Sequence, residues 1–590
     1  MNATSDGGRV GIFSRQGLLS SLILVLVVWL GNFYKSSQFS LYSDDMSYLG
    51  HIFEYANTIQ AYLNSVMSVN GARPIQYGLV DLTGAAISWG GSFAAAYVFL
   101  FLITAASVLL TWWALTRRFA NAAALTATII FAISPLLSIR PFLNGIASPV
   151  ALIFLMSAAI LYVSGWRILS YLVSILILLS YELAFPLFIL LPVLLRPIRR
   201  RSDLYQLIGH AGICILLLVG YAVFDATLGI PNVQSTIAEQ KPLELGWGIV
   251  RATSLSFGYA VSGSVDIPLW LSRIGPVTDA SVWAILAFVG FAIFLQSLMR
   301  QPVVWCENRA ETAQTIAVLL LMVALGYALV YFPSPDGAVS VFDRPSRIHS
   351  VAALPASILT AWAITAGLAS ARRRLVRAGA IGLAAGYLAL MFAFSISHQD
   401  EFAREADRQR LIILQLLADH PMMDRQATFI IQEPPLDWRH YPSIDYDDKH
   451  SLFYLMPDMF DLSGGTAERS GPGIRLIQGN AWTHNLISGT DGQLMWQPAI
   501  YPPKPERVGH VWVYDISADG VLTPVRGPLL VAGRDILHEG PDTPEGAIDL
   551  RAARKLPLYY LLLGRYGAVA DSILQNASRP SSAPEALGPR

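Results

Sequence analysis

A helix that crosses a bilayer needs about 20 mostly apolar residues. Such runs occupy residues 17–34, 92–115, 119–139, 144–164, 205–227, 281–299, 313–332, 350–371 and 378–397. One further stretch, RILSYLVSILILLSYELAFPLFILLPVLLRPIRRR at 167–201, is too long for one crossing and carries basic residues at both ends. A single helix over 168–195 would put Arg196, Arg199, Arg200 and Arg201 across the membrane from Arg167, against the tendency of Lys and Arg to stay cytoplasmic. Two short helices, 168–180 and 183–195, return the chain to one side and place Pro186 in a first turn, where its missing N–H costs little. The pattern therefore predicts about eleven crossings, with Tyr181 and Glu182 at the tip of a short hairpin. Each arm reaches only about 20 Å against a hydrocarbon core of about 30 Å, so the tip sits below the outer surface. An ionisable residue there should face a watery cavity or pair with a neighbouring helix.

Between the first two spans, residues 47–68 place Leu49, Ile52, Phe53, Ala56, Ile59, Leu63, Val66 and Met67 on one helical stripe, the pattern of a helix lying in the interface. Residues 75–90 read as a re-entrant or interfacial piece. After residue 397 the pattern changes. AREADRQRLIILQLLADH reads as an amphipathic helix, and ATFIIQ, IRLIQ, HVWVYDI and GPLLVAG read as strands between Gly and Pro. LPLYYLLLGRYGAVADSILQ reads as a helix too short in its apolar half to span. This predicts an α/β domain over 398–572, and the Pro-, Ser- and Ala-rich residues 573–590 read as a disordered tail.

Composition agrees with that division. Of 590 residues 54% are hydrophobic and 14% charged, against about 25% charged in an average soluble domain. Lys plus Arg and Asp plus Glu both total 41, so no net charge invites nucleic acid. The two cysteines, Cys214 and Cys306, are too few for a disulfide framework. Residues 1–16 followed by the first run, with no small-residue cleavage pattern, read as a retained signal anchor. Arg9, Arg15, Arg117, Arg118, Arg167, the 196–201 cluster, Arg300, Arg309 and Arg372–Arg374 fall on one side under the basic-inside rule. That rule predicts a cytoplasmic N-terminus, outer loops at 35–91 and 229–279, and an outer C-terminal domain. In a bacterium these would be the inner membrane and the periplasm.

The outer side then collects Asp44 and Asp45 in SLYSDDMSYLGHIFEY, Arg73 in NGARPIQY, Arg140 in SIRPFLNG, Glu182, and Arg344 and Arg347 in VFDRPSRIHS. Burial against an apolar wall raises the cost of ionising a carboxylate and suits it to taking a proton from a hydroxyl. Guanidinium groups grip phosphate through paired hydrogen bonds. Together these suit displacement of a phosphate leaving group by a hydroxyl, with a lipid-carried phosphate as the activated donor where no nucleotide is at hand. Each residue also has a plainer use. Asp44 and Asp45 can cap the interfacial helix, and Arg344 and Arg347 can hold lipid headgroups. Arg73 and Arg140, each before a proline, can serve a turn, and His51 and Glu54 can form a solvated helix face. The YDD at Tyr446–Asp448 reads as a surface loop.

The acidic pair in the first outer loop, the interfacial helix after it, the many spans, the hairpin tip LLSYELAFPL and the outer C-terminal domain resemble the GT-C superfamily of polyprenyl-phosphate-sugar glycosyltransferases. In plan they are similar to lipid A aminoarabinose and galacturonic acid transferases, O-antigen glucosyltransferases and arabinofuranosyltransferases. The resemblance covers residues 17 to 400 or so. It implies a GT-C-like fold and inverting transfer of one sugar from a polyprenyl-phosphate carrier to a hydroxyl of an envelope glycan or glycolipid, through an oxocarbenium-like transition state. By motif position the base is Asp44 or Asp45, with Asp44 favoured and Asp45 as second carboxylate or metal ligand. Neighbours on a helix point about 100° apart, so both cannot serve. Arg344, Arg347, Arg73 and Arg140 would hold the donor phosphate. Where several members carry Lys at the hairpin tip this chain has Glu182, which shifts Glu182, Tyr181, His51 and Glu54 toward the acceptor or sugar. No cofactor is certain, and a divalent cation such as Mg or Mn is an option that relatives use. Two alternatives remain: a polysaccharide polymerase or ligase using a polyprenyl-diphosphate-linked glycan, and a non-enzymatic transporter or assembly protein.

Overall fold

The computed structural model describes residues 14–42, 73–137, 142–227, 266–274, 279–299, 308–331, 349–371 and 373–420 nearly throughout, with Asp45 and Arg140, and shorter pieces of 247–258 and 422–576. The chain divides into two compact units. The first comprises Met1–Ser37, Asn57–Ala86 and Ala96–Asp400, and the second comprises Gln38–Ala56, Ile87–Ala95 and Glu401–Arg590.

The first unit is helical. In chain order its helices are α1 (Arg15–Val28), α2 (Pro74–Gly90), α3 (Phe93–Thr116), α4 (Asn121–Ala132), α5 (Ala147–Val163), α6 (Arg167–Tyr181), α7 (Phe185–Leu195), α8 (Arg201–Thr227), α9 (Ile267–Ile274), α10 (Asp279–Leu298), α11 (Arg309–Tyr331) and α12 (His349–Ser370). The last, α13 (Arg374–Asp419), contributes residues to both units. Among the described residues, seven helical stretches are long and apolar enough to cross a membrane, as is Arg167–Leu195 when α6 and α7 are taken end to end, with α4 and α5 as shorter apolar helices. The ends of these helices follow simple chemistry. Ser14 opens α1 by accepting the Gly17 N–H at 3.1 Å. Pro135 ends α4 early and starts a 3-10 turn, Pro135–Leu137, so the run read as 119–139 is helical only to Ala132.

The stretch 167–195 does double back. Tyr181 leaves helical geometry at φ −155°, ψ 88°, and a 3-10 turn, Glu182–Ala184, separates α6 from α7. In one straight helix Tyr171 and Phe188 would lie about 25 Å apart, yet their ring centroids are 6.3 Å apart. Buried His210 of α8 ties the arms together, one ring nitrogen 3.0 Å from the Tyr171 hydroxyl and the other 3.0 Å from the Phe188 carbonyl oxygen. At the far end of α6, connections distant in sequence meet at one buried carboxylate. Glu311 pairs with Arg118 at 3.1 Å and Arg199 at 2.9 Å, while Arg117 donates to Ser164 at 3.2 Å. α11 and α12 pack closely at Gly326, where a Cβ would sit 3.2 Å from the Ala352 backbone.

The second unit is mixed. Its main sheet has the order β3 (Gly473–Gln478), β2 (Thr428–Glu433), β7 (Val511–Ile516), β8 (Leu522–Pro524), with β2 parallel to both neighbours and β7 antiparallel to β8. The remaining described strands form smaller antiparallel sheets: β1 (Met422–Met423) with β11 (Ile548–Asp549), β4 (Leu486–Ser488) with β5 (Leu494–Trp496) and β6 (Glu506–Arg507), and β9 (Leu529–Val531) with β10 (Arg534–Ile536). A final helix, α14, runs Gly567–Asn576, so the segment read as a tail from 573 begins as helix.

The last part of α13 anchors the sheet. The Gln415 amide donates to the Gly520 carbonyl at 2.8 Å and accepts from Leu522 N–H at 2.8 Å. His420 lies 2.6 Å from the Tyr514 hydroxyl with its ring against Trp512. The amphipathic segment AREADRQRLIILQLLADH is therefore not a separate helix but the continuation of the span before it. SISHQDEF, which joins them, contains no Gly or Pro to interrupt the backbone ladder.

Candidate active site

The bend between α6 and α7 holds a charged site of the first unit. Glu182, 7% exposed, forms an ion pair with Arg73, the residue just before α2. The Arg73 guanidinium also lies over the Tyr181 ring, 5.9 Å from its centroid, and donates to the Tyr221 hydroxyl on α8. Asp225, buried one turn further along α8, adds its charge beside Tyr221. Burial alone would lower the Arg73 pKa, but the charge and hydrogen bond of Glu182 outweigh it, and the pKa is raised. Glu182 uses Oε1 for Arg73, while its buried Oε2 has no hydrogen-bond partner among the described residues. Two carboxylates and one guanidinium in apolar surroundings form a site able to take hydrogen-bond donors at Oε2 and an anion at the exposed edge of Arg73.

Three residues singled out in the sequence, Arg73, Tyr181 and Glu182, are thus neighbours. Arg140 stands apart from them. It closes the end of α4, donating to the Phe131 carbonyl at 3.0 Å, to the Ala132 carbonyl, and to Asn32 Oδ1 at 3.0 Å. Asn32 in turn donates to Val28 and Ala132 carbonyls at 3.2 and 3.1 Å. Tyr221, Asp225 and Asn32 were not anticipated. Each is a polar residue near the end of an apolar run, which is the available signal for a site within a helical bundle.

Asp45 lies in the second unit, 1% exposed. Its N–H donates to the Tyr42 carbonyl at 3.0 Å. The Tyr42 hydroxyl donates to the Phe402 carbonyl of α13 at 2.7 Å and accepts from Ser40 N–H at 3.1 Å. Burial raises the Tyr42 pKa well above its usual value; Glu405 and Asp45 act in the same direction, and Arg410 opposes them. Arg410 pins the segment before Asp45 by donating to the Gln38 and Phe39 carbonyls, each at 3.2 Å. A buried carboxylate is thereby fixed by backbone bonds on either side of Tyr42. Asp44, His51, Glu54, Arg344 and Arg347 lie outside the described residues. Among those described, no three His, Cys, Asp or Glu side chains cluster as a metal site would require.

These features define the class: a polytopic helical protein with spans long and apolar enough for a membrane, a buried charged site at the bend between α6 and α7, and an added α/β unit. No protein-family profile and no curated protein matches the chain. Among solved structures, the crystal structure of ArnT from Cupriavidus metallidurans bound to undecaprenyl phosphate is similar at 14% identity, over 80% of this chain and 91% of that one, with a TM-score of 0.35. At that level the match is a likeness only, and no residue role is transferred from it.

Proposed function

We propose that the protein is a glycosyltransferase that moves a single sugar from a polyprenyl-phosphate carrier to a hydroxyl of an envelope glycan or glycolipid, at the outer face of a bacterial inner membrane. The observation that carries this reading is the Arg73–Glu182 pair at the tip of a hairpin too short to cross. Ionisable groups at such depth are expensive and are kept for function. A guanidinium held by a buried carboxylate suits the gripping of a lipid-borne phosphate. The likeness to a chain crystallised with undecaprenyl phosphate is in keeping with that donor class but carries no weight of its own.

In the proposed reaction a carboxylate of the Asp44–Asp45 pair takes the proton of the acceptor hydroxyl. The freed oxygen bonds to the anomeric carbon as the carbon–oxygen bond to the phosphate breaks, and polyprenyl phosphate departs with inverted stereochemistry at the sugar. Arg73, held in place by Glu182, would with Arg344 and Arg347 balance the departing negative charge, while Tyr181 would face the sugar. The meeting of Arg118 and Arg199 at Glu311 favours placing their loops on one side, as the cytoplasmic assignment requires. Transfer of radiolabelled sugar from a membrane lipid extract to endogenous acceptor tests the reading. Wild type should transfer label, and Asp44→Asn and Asp45→Asn should insert normally while at least one loses transfer. Full activity in the double variant would remove the mechanism.

A further inference from the structure

Arg410 of α13 is 7% exposed, and its guanidinium meets two stretches far apart in the sequence. Nη1 donates to the Gln38 carbonyl and to Asp407 Oδ1, and Nη2 donates to the Phe39 carbonyl, each at 3.2 Å. The other Asp407 oxygen accepts from Arg565 at 2.7 Å. Nε is buried and has no hydrogen-bond partner among the described residues. Against it lies Gly564, where a Cβ would come 3.1 Å from Nε and 3.4 Å from Cζ. Gly564 has φ +52°, the left-handed geometry that glycine adopts at no steric cost. The backbone of the turn Gly564–Tyr566 therefore closes over the guanidinium where a side chain would push it aside. The turn is seated by burial: Leu563 before it, and Ala570 and Leu574 of α14 after it, are at most 1% exposed. The Arg565–Asp407 pair, with Arg565 66% exposed, adds little to that.

After the 3-10 turn Ser36–Gln38, residues Phe39–Tyr42 adopt neither helix nor strand. Backbone carbonyls there have no ladder to join, so side chains must satisfy them and set where the segment runs. Arg410 takes two of them. The Tyr42 hydroxyl bonds the Phe402 carbonyl of the same helix at 2.7 Å, and the Asp45 N–H closes onto the Tyr42 carbonyl at 3.0 Å. Asp45 thus stands at the end of a short irregular lever whose base is Arg410. We infer that Arg410 is a positioning residue for Asp45, and that the turn Gly564–Tyr566 braces Arg410 in that role. The bracing is independent of the reaction, whereas its effect on sugar transfer rests on the transferase reading above.

Hydrogen exchange read by mass spectrometry on the full-length protein in detergent tests the bracing at the amides of Ser40 and Asp45, both of which donate to Tyr42. Arg410→Gln should speed exchange of the peptides carrying them about tenfold, the worth of one bond to a charged donor. Peptides of α5–α7 should stay unchanged, which shows that the variant is folded. Arg410→Lys, a point donor in place of a planar fork, should fall between. Gly564→Ala serves as the second variant, since it displaces the guanidinium without removing it. It should speed exchange of the same peptides when Arg410 is present and add nothing to Arg410→Gln. In the transfer assay Arg410→Gln and Gly564→Ala should lower kcat with KM for the lipid donor unchanged, and Arg410→Lys should recover part of the loss. Unchanged exchange at Ser40 and Asp45 in Arg410→Gln, a rise spread evenly over the chain, or a further rise in the double variant would overturn the inference. So would a normal kcat in an Arg410→Gln protein whose exchange has risen. A wild type that transfers no sugar while exchange follows the expected pattern would uphold the bracing and refute the transferase reading alone.

Discussion

The Arg73–Glu182 pair sets the most informative perturbation. Two unit charges in contact at about 4 Å attract by about 4 kcal/mol at an effective dielectric of about 20. The Glu182 side chain is 9% exposed but that of Arg73 is 31% exposed, so solvent screening reduces the pair to about 2 kcal/mol, or roughly 30-fold in a rate or binding constant. If Glu182 acts by holding Arg73 where a phosphate can reach it, Glu182→Gln and Arg73→Gln each lower kcat/KM by about 30-fold. The double variant is then no worse than the poorer single, because removing the holder of an absent group costs nothing more. The assay is initial-rate sugar transfer with purified protein and lipid extract, run across the four members of the cycle. Losses that multiply, near 900-fold in the double variant, would show two independent roles and refute the arrangement.

Three other outcomes follow from the structure. His420, buried against Trp512 and Tyr514 and beside Asp419, has its pKa lowered to about 4 by burial, so its stability contribution is complete above its unfolded pKa of about 6.5 and is lost as pH falls from there toward 4; thermal unfolding at pH 5 against pH 7 should drop by about 2 kcal/mol more in wild type than in His420→Asn, and parallel pH curves would count against it. Gly326→Val, which drives a branched side chain into the Ala352 backbone, should cost about 1–3 kcal/mol by overpacking, read as a lower unfolding temperature in detergent, whereas an unchanged value would mean α11 and α12 can part freely. In a Cys306→Ser background, a cysteine at Ser202 should resist a membrane-impermeant maleimide in intact cells, and ready labelling would reverse the proposed orientation.

The helical framework was legible because hydrophobic run length is a local property, and α3, α8, α10, α11 and α12 begin and end within a few residues of the runs that predicted them. The doubled-back arms were legible from charge: only a reversal reconciles Arg167 with the cluster ending at Arg201. What escaped were facts that depend on distant partners. Nothing local to NGARPIQY says that Arg73 meets a carboxylate 109 positions away, and the long apolar run of α8 hid Tyr221 and Asp225. The continuity of α13 was missed because the change from apolar to amphipathic pattern at residue 397 looks like an element boundary, although the backbone has no reason to stop there. Arg140 was noticed for its unusual position, but its capping of α4 depends on how the chain turns after Pro135.

The short reach of α6 and α7 has a mechanical corollary. At 15 and 11 residues, the two arms fall about 8 and 13 Å short of an average hydrocarbon thickness. A bilayer meeting that mismatch thins or dimples locally. A long-tailed amphiphile diffusing in the leaflet could then slide its head group down the dimple toward Arg73 while its tail stays immersed, arriving by lateral motion without ever being lifted into water.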